Sequence, residues 1–169
     1  MLVKRARKSA GKSASEYQRM IEVLKQFRIL LKSIKRHYLW VEKKCGLSGA
    51  QIWAMAEISA NPGLKVSALA ERLAVHLSTA SNMLRRLETL GFAERARVGE
   101  DQRTVQARLT AKGKALLRKA PRPLVGILQQ ALSDLPPATI NSLHRDLGAI
   151  IRLMKFKDAG AKSRPLSDL

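Results

Sequence analysis

Apolar residues recur at helical spacing over a long segment that starts at residue 16. They lie three or four positions apart, at Tyr17, Met20, Ile21, Leu24, Phe27, Leu31, Ile34, Tyr38 and Val41. This period predicts one amphipathic helix over residues 16–46, ended by Gly46. A second stripe, Ile140, Leu143, Leu147, Ile150 and Met154, predicts a helix with a coiled-coil-like seam. Two such stripes are more apolar surface than a small domain can cover, which predicts a dimer.

Shorter helical patterns fill the region between the two stripes. Ser48 can cap a helix that runs to Ala60 and stops at the N-P-G of 61–63, and Ser67 can cap a short helix. The next helix is predicted from Ser78 and closed by Gly91. Apolar and polar residues then alternate at 92–98 and again at 105–109, which predicts two strands around a charged turn.

This order of elements is typical of a winged helix-turn-helix. We therefore predict a mainly α protein with a small β-hairpin wing, in which a winged helix-turn-helix head is joined to an α-helical dimerisation region. The predicted divisions are a disordered basic arm at 1–15, a dimerisation helix at 16–46, the DNA-binding head at 47–110, C-terminal dimerisation helices at 111–155, and a flexible tail at 156–169. Thr110 can cap the first C-terminal helix, and Pro121 and Pro123 predict a break near Ala120.

The helix predicted at 78–91 has two chemically different sides. Ala80, Leu84 and Leu87 form an apolar side, which we expect to pack inward. The other side carries no acidic residue and consists of Ser78, Thr79, Ser81, Asn82, Arg85 and Arg86. Asn can pair with an adenine edge and Arg with guanine in the major groove, so this side is predicted to contact DNA. A polar face that is only solvated is the alternative.

The turn between the two strands strengthens the DNA prediction. Arg95, Arg97 and Arg103 bracket this turn, and an arginine there can enter the narrow minor groove. Asp101 can pair with one of them and hold the tip. We therefore include Arg97 and Arg103 among the predicted DNA contacts.

Residues 78–113 closely resemble the signature of the multiple-antibiotic-resistance regulator (MarR) family. The matching marks are the S-T start, R-L-E-x-x-G at 86–91, E-R at 94–95, D-x-R at 101–103 and L-T-x-K-G at 109–113. The resemblance implies a homodimeric transcriptional regulator, usually a repressor, released from a pseudo-palindromic operator by a small ligand or by thiol oxidation. By position it implies that Ser78, Thr79, Ser81, Asn82 and Arg85 read the major groove and that Arg103 is the wing arginine.

Two positions depart from the family pattern. Gln102 stands where a second arginine is frequent, and the prolines at 121 and 123 interrupt what is a long helix in the family. The first departure thins the expected wing contact, and the second changes the path between head and dimerisation region.

The charge of the chain favours polyanionic partners. The formal net charge is +19, with 32 basic and 13 acidic residues. By region it is +5 in 1–15, +5 in 16–45, +2 in 46–109 and +7 in 110–169, so most of the excess lies outside the predicted head. This distribution favours phosphate contacts from the arm and the dimerisation helices. It also keeps open a basic architectural protein that coats nucleic acid without reading sequence.

Other classes of function find little support in the sequence. There is no apolar run long enough to span a membrane and no secretory leader pattern, so we expect a cytoplasmic protein that uses no membrane. No nucleophile elbow, P-loop or paired His ligands appear, so we expect neither an enzyme, nor a cofactor, nor a metal site. The single Cys45 follows Lys43 and Lys44, which would lower its thiol pKa if they stay close. An inert thiol is the alternative.

Aromatic residues mark a candidate effector site. Tyr38, Trp40, Trp53 and Met55 can line a pocket between the dimerisation helices and the head, or they can simply belong to the core. The leading interpretation is thus a ligand-responsive, sequence-specific regulator of double-stranded DNA. A winged head that serves only protein interaction is a third possibility.

Overall fold

The computed structural model describes residues 13–97, 105–155 and 157–168. The elements are α1 (Ala14–Cys45), α2 (Gly49–Ala60), β1 (Leu64–Lys65), α3 (Val66–Leu73), α4 (Leu77–Thr89), β2 (Ala93–Arg97), β3 (Val105–Leu109), α5 (Ala111–Lys119), α6 (Ile127–Ser133) and α7 (Pro137–Leu153). Two short 3-10 helices follow at Ala159–Ser163 and Leu166–Asp168. The chain divides into two compact units, Met1–Ile34 and Lys35–Leu169, with the boundary inside α1. The basic arm predicted at 1–15 lies almost wholly outside the described residues.

The first two helices begin and end at the residues that the sequence indicates. Gly46 has a φ of +67°, a conformation that glycine adopts without a Cβ penalty, and it follows the last residue of α1. Ser48 then starts α2 with a capping box: its side chain accepts from the N–H of Gln51, and the Gln51 side chain accepts from the N–H of Ser48. Local hydrogen bonds therefore determine where α1 stops and α2 starts.

A three-stranded antiparallel sheet, in the order β1-β3-β2, forms the wing and its base. Arg95 of β2 and Leu64 of β1 both lie opposite Ala107 of β3. The connection expected at 64–66 is therefore a strand. Because β1 pairs with β3 up to Lys65, α3 begins directly at Val66, and Lys65 is its N-cap with no side-chain hydrogen bond. The prediction that Ser67 caps this helix was wrong.

The core of the second unit lies where α2, α3 and α4 meet the sheet. The largest side chains buried there come from all three helices: Ile52, Met55, Ile58, Leu69, Leu84 and Leu87. Ala107 of β3 is also fully buried, which brings the sheet against α2. This packing holds α4 between the other helices on one side and β2 on the other.

The chain after the wing is broken into short helices. Thr110 caps α5 by accepting from the N–H of Gly113. The helix ends at Lys119, and Ala120 is extended, with φ −67° and ψ 143°, because the residue before a proline is disfavoured in the α region. The break predicted near Ala120 is therefore present. At 157–168, where we predicted a flexible tail, the two 3-10 helices occur and Leu166 is half-buried.

Candidate nucleic-acid interface

The inward face of α4 is as predicted. Ala80, Leu84 and Leu87 have no measurable exposure, and α4 contacts α2, α3 and β2. Ala80 has the smallest side chain of the three, which lets the backbone of α4 approach its neighbours closely. Met83 is also buried, which the three-and-four spacing of the other apolar residues did not single out. The buried face orients α4 and so determines which residues point outward.

The outward face of α4 carries the polar residues predicted to read DNA. Ser78, Asn82, Arg85 and Arg86 are exposed, and Thr79 and Ser81 are half-buried. Arg85 Nη1 donates to Asn82 Oδ1 at 3.1 Å, so these two side chains lie together on the same face. His76 is the N-cap and makes no side-chain capping hydrogen bond. The first N–H groups of α4 are thus not capped by the His76 side chain and can donate to a phosphate oxygen.

Arg95 joins the wing to α4 and is less free than the sequence suggests. Its Nε lies 3.2 Å from Glu88 Oε2, and its Nη2 donates to the carbonyl of Ser81 at 3.4 Å. Glu88 therefore sits in an ion pair, which offsets the one negative charge on this helix. The pair also joins β2 to α4, an effect that residues seven positions apart in sequence did not reveal.

The tip of the wing lies outside the described residues. The backbone of Arg97 pairs with Val105 at the end of the ladder, which aims both strands toward the tip. Arg103, Asp101 and Gln102 belong to the segment that the structure does not describe, and so does the side chain of Arg97. The predicted wing contacts of Arg97 and Arg103 therefore stay predictions.

The L-T-x-K-G motif joins the base of the hairpin to α5. Thr110 Oγ1 donates to the carbonyl of Gly91 at 2.7 Å, and the Thr110 N–H donates to the carbonyl of Phe92 at 3.1 Å. A Cβ on Gly113 would collide with the Phe92 carbonyl oxygen. Lys112 Nζ donates to the carbonyl of Leu90 at 2.8 Å. The threonine, lysine and glycine of this motif each have a structural task where the hairpin meets the helix.

A cavity of about 240 Å³ lies within the second unit, next to α4. Of the four predicted effector residues, Tyr38 and Trp53 line this cavity. Met55 does not line it, because Met55 is fully buried in the core. Trp40 does not line it either, because its side chain is 46% exposed on the surface of α1. Met83 and Gln129 also line the cavity, and neither was predicted from the sequence.

Polar groups in the cavity are few and come from Tyr38 and Gln129. Gln129 Nε2 donates to Tyr38 Oη at 3.2 Å. Burial raises the pKa of Tyr38, and the hydrogen bond from Gln129 partly opposes this, so the phenol is neutral at pH 7. Gln129 Oε1 is buried and has no hydrogen-bond partner among the described residues. An acceptor of this kind can take a donor from a bound molecule.

Cys45 and the histidines do not form a reactive or metal-binding site in the described part of the chain. Burial raises the pKa of the Cys45 thiol, which is opposite to the lowering we expected from Lys43 and Lys44. The neighbouring lysines are exposed and stay hydrated, so desolvation of the thiol dominates. Within residues 13–97, 105–155 and 157–168, no group of three His, Cys, Asp or Glu side chains could hold a metal ion. None of the described helices is long and apolar enough to cross a membrane.

Comparisons with known proteins agree with this geometry. The family model "MarR family" matches residues 46–104, which include α2 to β2. The HTH-type transcriptional regulator YfiV of Bacillus subtilis is 29% identical over 112 residues, 66% of this chain and 70% of YfiV. The HTH-type transcriptional repressor MdtR of the same organism is 30% identical over 96 residues, 57% of this chain and 62% of MdtR.

Solved structures share the fold over a larger part of the chain. Sco3205, a MarR family transcriptional regulator from Streptomyces coelicolor solved in complex with DNA, superposes with a TM-score of 0.55. The alignment covers 82% of this chain and 90% of Sco3205, at 22% identity. The shared fold is thus a winged helix with additional helices on both sides of the head.

Proposed function

We propose, from the premise that the chain belongs to the MarR family of transcriptional regulators, that it represses transcription by binding a specific double-stranded DNA sequence as a homodimer. A small-molecule effector bound in the cavity would release it. Such a protein acts where the DNA is, which is the basis for proposing a cytoplasmic location.

The two-sided character of α4 carries this proposal. Its buried face is packed into the head by Ala80, Leu84 and Leu87, while its exposed face presents hydroxyl, amide and guanidinium groups. The exposed face bears no unpaired carboxylate, because Glu88 is paired with Arg95. A helix that presents such groups on a rigid support can enter the major groove and hydrogen-bond to base edges.

The proposed homodimer rests on apolar surface that the single chain leaves exposed. On α7, the residues Leu143, Leu147, Ile150, Ile151 and Leu153 are each more than a third exposed. On the part of α1 within the first unit, the same holds for Tyr17, Met20, Val23, Leu24, Ile29, Leu30 and Leu31. Monomeric proteins rarely expose so much contiguous apolar surface, and a second copy of the chain would cover it.

The repressor role and the effector have separate support. MdtR, a relative with 30% identity, is named a transcriptional repressor. The cavity next to α4 is lined mainly by apolar side chains and contains an unpartnered buried acceptor, as a site for a small organic molecule requires.

A nuclease footprint on the DNA upstream of the gene and its neighbours tests the proposal. A dimeric regulator protects one pseudo-palindromic site, and protection disappears when α4 carries Asn82→Ala and Arg85→Ala. The excess positive charge outside the head favours a second candidate, a protein that coats nucleic acid. That protein would protect all positions equally. A head that serves only protein interaction would retain no DNA in a filter assay at low salt.

A further inference from the structure

Residues 157–168 fold over the cavity and have a local structure of their own. Asp158 Oδ1 accepts from the N–H of Gly160 at 3.0 Å and caps the first 3-10 helix. Asp158 Oδ2 also lies 3.5 Å from Arg164 Nη1, which closes the segment on itself. Pro165 and Leu166 are half-buried, and the second 3-10 helix contacts α2. We name residues 157–168 the strap.

The strap and the head contribute different chemistry to the cavity. The head contributes mainly apolar walls: Trp53, Leu73, Val75, Met83 and Val125. The strap contributes Lys162 and Arg164, which are the charged residues of the lining. No carboxylate lines the cavity in the described part of the chain, and Asp158, the acidic partner of Arg164, stands outside the lining.

An apolar space with cations at its mouth selects a particular class of molecule. The aromatic ring of Trp53 and the aliphatic walls favour a flat apolar body, which gains free energy by leaving water. Lys162 and Arg164 favour a negative group at the edge of that body, where both cations remain partly hydrated. The buried Gln129 Oε1 can accept a hydrogen bond from a hydroxyl or amide on the inner end of the molecule.

We propose that the strap closes the cavity and, through Lys162 and Arg164, makes it a site for an anionic molecule with an apolar aromatic body. This inference rests on the proposed effector site but needs no DNA for its test. Leu166 holds the strap against α2, and the two cations retain the ligand.

The fluorescence of Trp53 reports on the cavity directly. Replacing Trp40 by Phe leaves Trp53 as the one tryptophan of the chain. The probes are 2-naphthoate and its neutral analogue 2-naphthamide, which differ in charge and little in shape. We expect 2-naphthoate to quench Trp53 at lower concentration than 2-naphthamide. Replacing Lys162 and Arg164 together by Gln should weaken 2-naphthoate roughly two- to tenfold, as expected for two partly hydrated ion pairs, and leave 2-naphthamide unchanged.

Two further variants separate the strap from general charge effects. Lys157→Gln removes a charge from the strap at an exposed position that does not line the cavity, and it should leave both affinities unchanged. Leu166→Ser should raise the quenching of Trp53 by acrylamide and weaken both probes, while the melting curve shows that the head is still folded. Lack of preference for 2-naphthoate, or no change in the Lys162/Arg164 double variant, would overturn the ligand class. Unchanged acrylamide quenching in Leu166→Ser would overturn the closure.

None of these readouts depends on operator binding. A failed footprint combined with the expected quenching would reject the DNA-binding function and keep the strap. A correct footprint with no effect of the strap variants would reject only the strap.

Discussion

Asn82 and Arg85 lie one turn apart on the exposed face of α4 and hydrogen-bond to each other at 3.1 Å. In contact with DNA each would exchange this bond for one to a base edge. Replacing either by Ala should cost about 1 to 3 kcal/mol on the preferred operator and much less on unrelated DNA. Fluorescence anisotropy with both duplexes measures the difference. Equal reductions on the two duplexes would mean that these side chains contact only phosphates.

His37 provides a pH-dependent contribution to stability. It is almost fully buried, and burial lowers the pKa of its imidazole below 6.5, although a hydrogen bond involving the backbone of Pro123 partly raises the pKa. The folded state therefore binds a proton less readily than the unfolded state. As the pH falls through 6.5, the unfolded state gains protons first, so the free energy of unfolding decreases.

Thermal melts between pH 8 and pH 5 test this effect. The melting temperature should fall on acidification, and His37→Gln should make the fall shallower. His76→Gln is the matched control, because the His76 side chain is exposed, and it should keep the wild-type pH dependence. An equally steep fall in His37→Gln would show that other groups cause the acid sensitivity.

At the scale of elements, the junction between the hairpin and α5 depends on one glycine. A Cβ on Gly113 would meet the Phe92 carbonyl oxygen, a backbone atom that also accepts from the Thr110 N–H. Gly113→Ala should therefore lower the free energy of unfolding by about 1 to 3 kcal/mol, as overpacking in a close contact does. Chemical denaturation followed by circular dichroism measures it.

Gly148→Ala in α7 is the control for this substitution. A Cβ at Gly148 would meet only Arg152 Nη1, at an ordinary 3.5 Å. Alanine is favoured over glycine inside a helix by roughly 0.5 to 1 kcal/mol, so this variant should be as stable as the wild type or more stable. Equal stabilities of the two variants would contradict the proposed contact at Gly113.

At the scale of the whole molecule, the exposed apolar face of α7 predicts a dimer at micromolar concentration. Leu147 and Ile151 are 41% and 54% exposed in the single chain. Replacing both by Asp should place unpaired charges in the dimer interface and shift the protein toward monomer in sedimentation velocity. The far-ultraviolet spectrum should stay helical. A wild-type protein that is a folded monomer and binds DNA as one unit would contradict this prediction.

The basic residues of 1–15 predict a salt-dependent contribution to DNA binding. Replacing Lys4, Arg5, Arg7, Lys8 and Lys12 by Gln removes five positive charges per chain. For every phosphate that these side chains no longer neutralise, the slope of log affinity against log salt should decrease in magnitude by about 0.9. Affinity should fall on every DNA, most strongly at low salt, while sequence preference is retained. Titrations at four salt concentrations measure the slope, and an unchanged slope would mean that these residues do not contact phosphates.

Most of the helices and the hairpin were predictable from the sequence, because short-range chemistry determines them. The capping box of Ser48, the glycine at 46, the cap of Thr110 and the break before Pro121 all act through residues fewer than five positions apart. The division of α4 into a buried and an exposed face likewise follows from helical periodicity. The cap predicted at Ser67 failed because a strand pairing with distant β3 set the start of that helix.

Only the tertiary structure decided which residues share a site. Trp53 and Met55 are two positions apart on α2, yet Trp53 lines the cavity and Met55 is in the core, because the sides of a helix face different neighbours. Gln129 reaches Tyr38 across 91 positions, and the strap returns to α2 from more than 100 positions away. The sequence alone thus determined the local elements and the chemistry of the DNA-facing helix. The cavity, its charged mouth and the pairing of Arg95 with Glu88 depend on how distant or differently oriented segments pack, which no local pattern records.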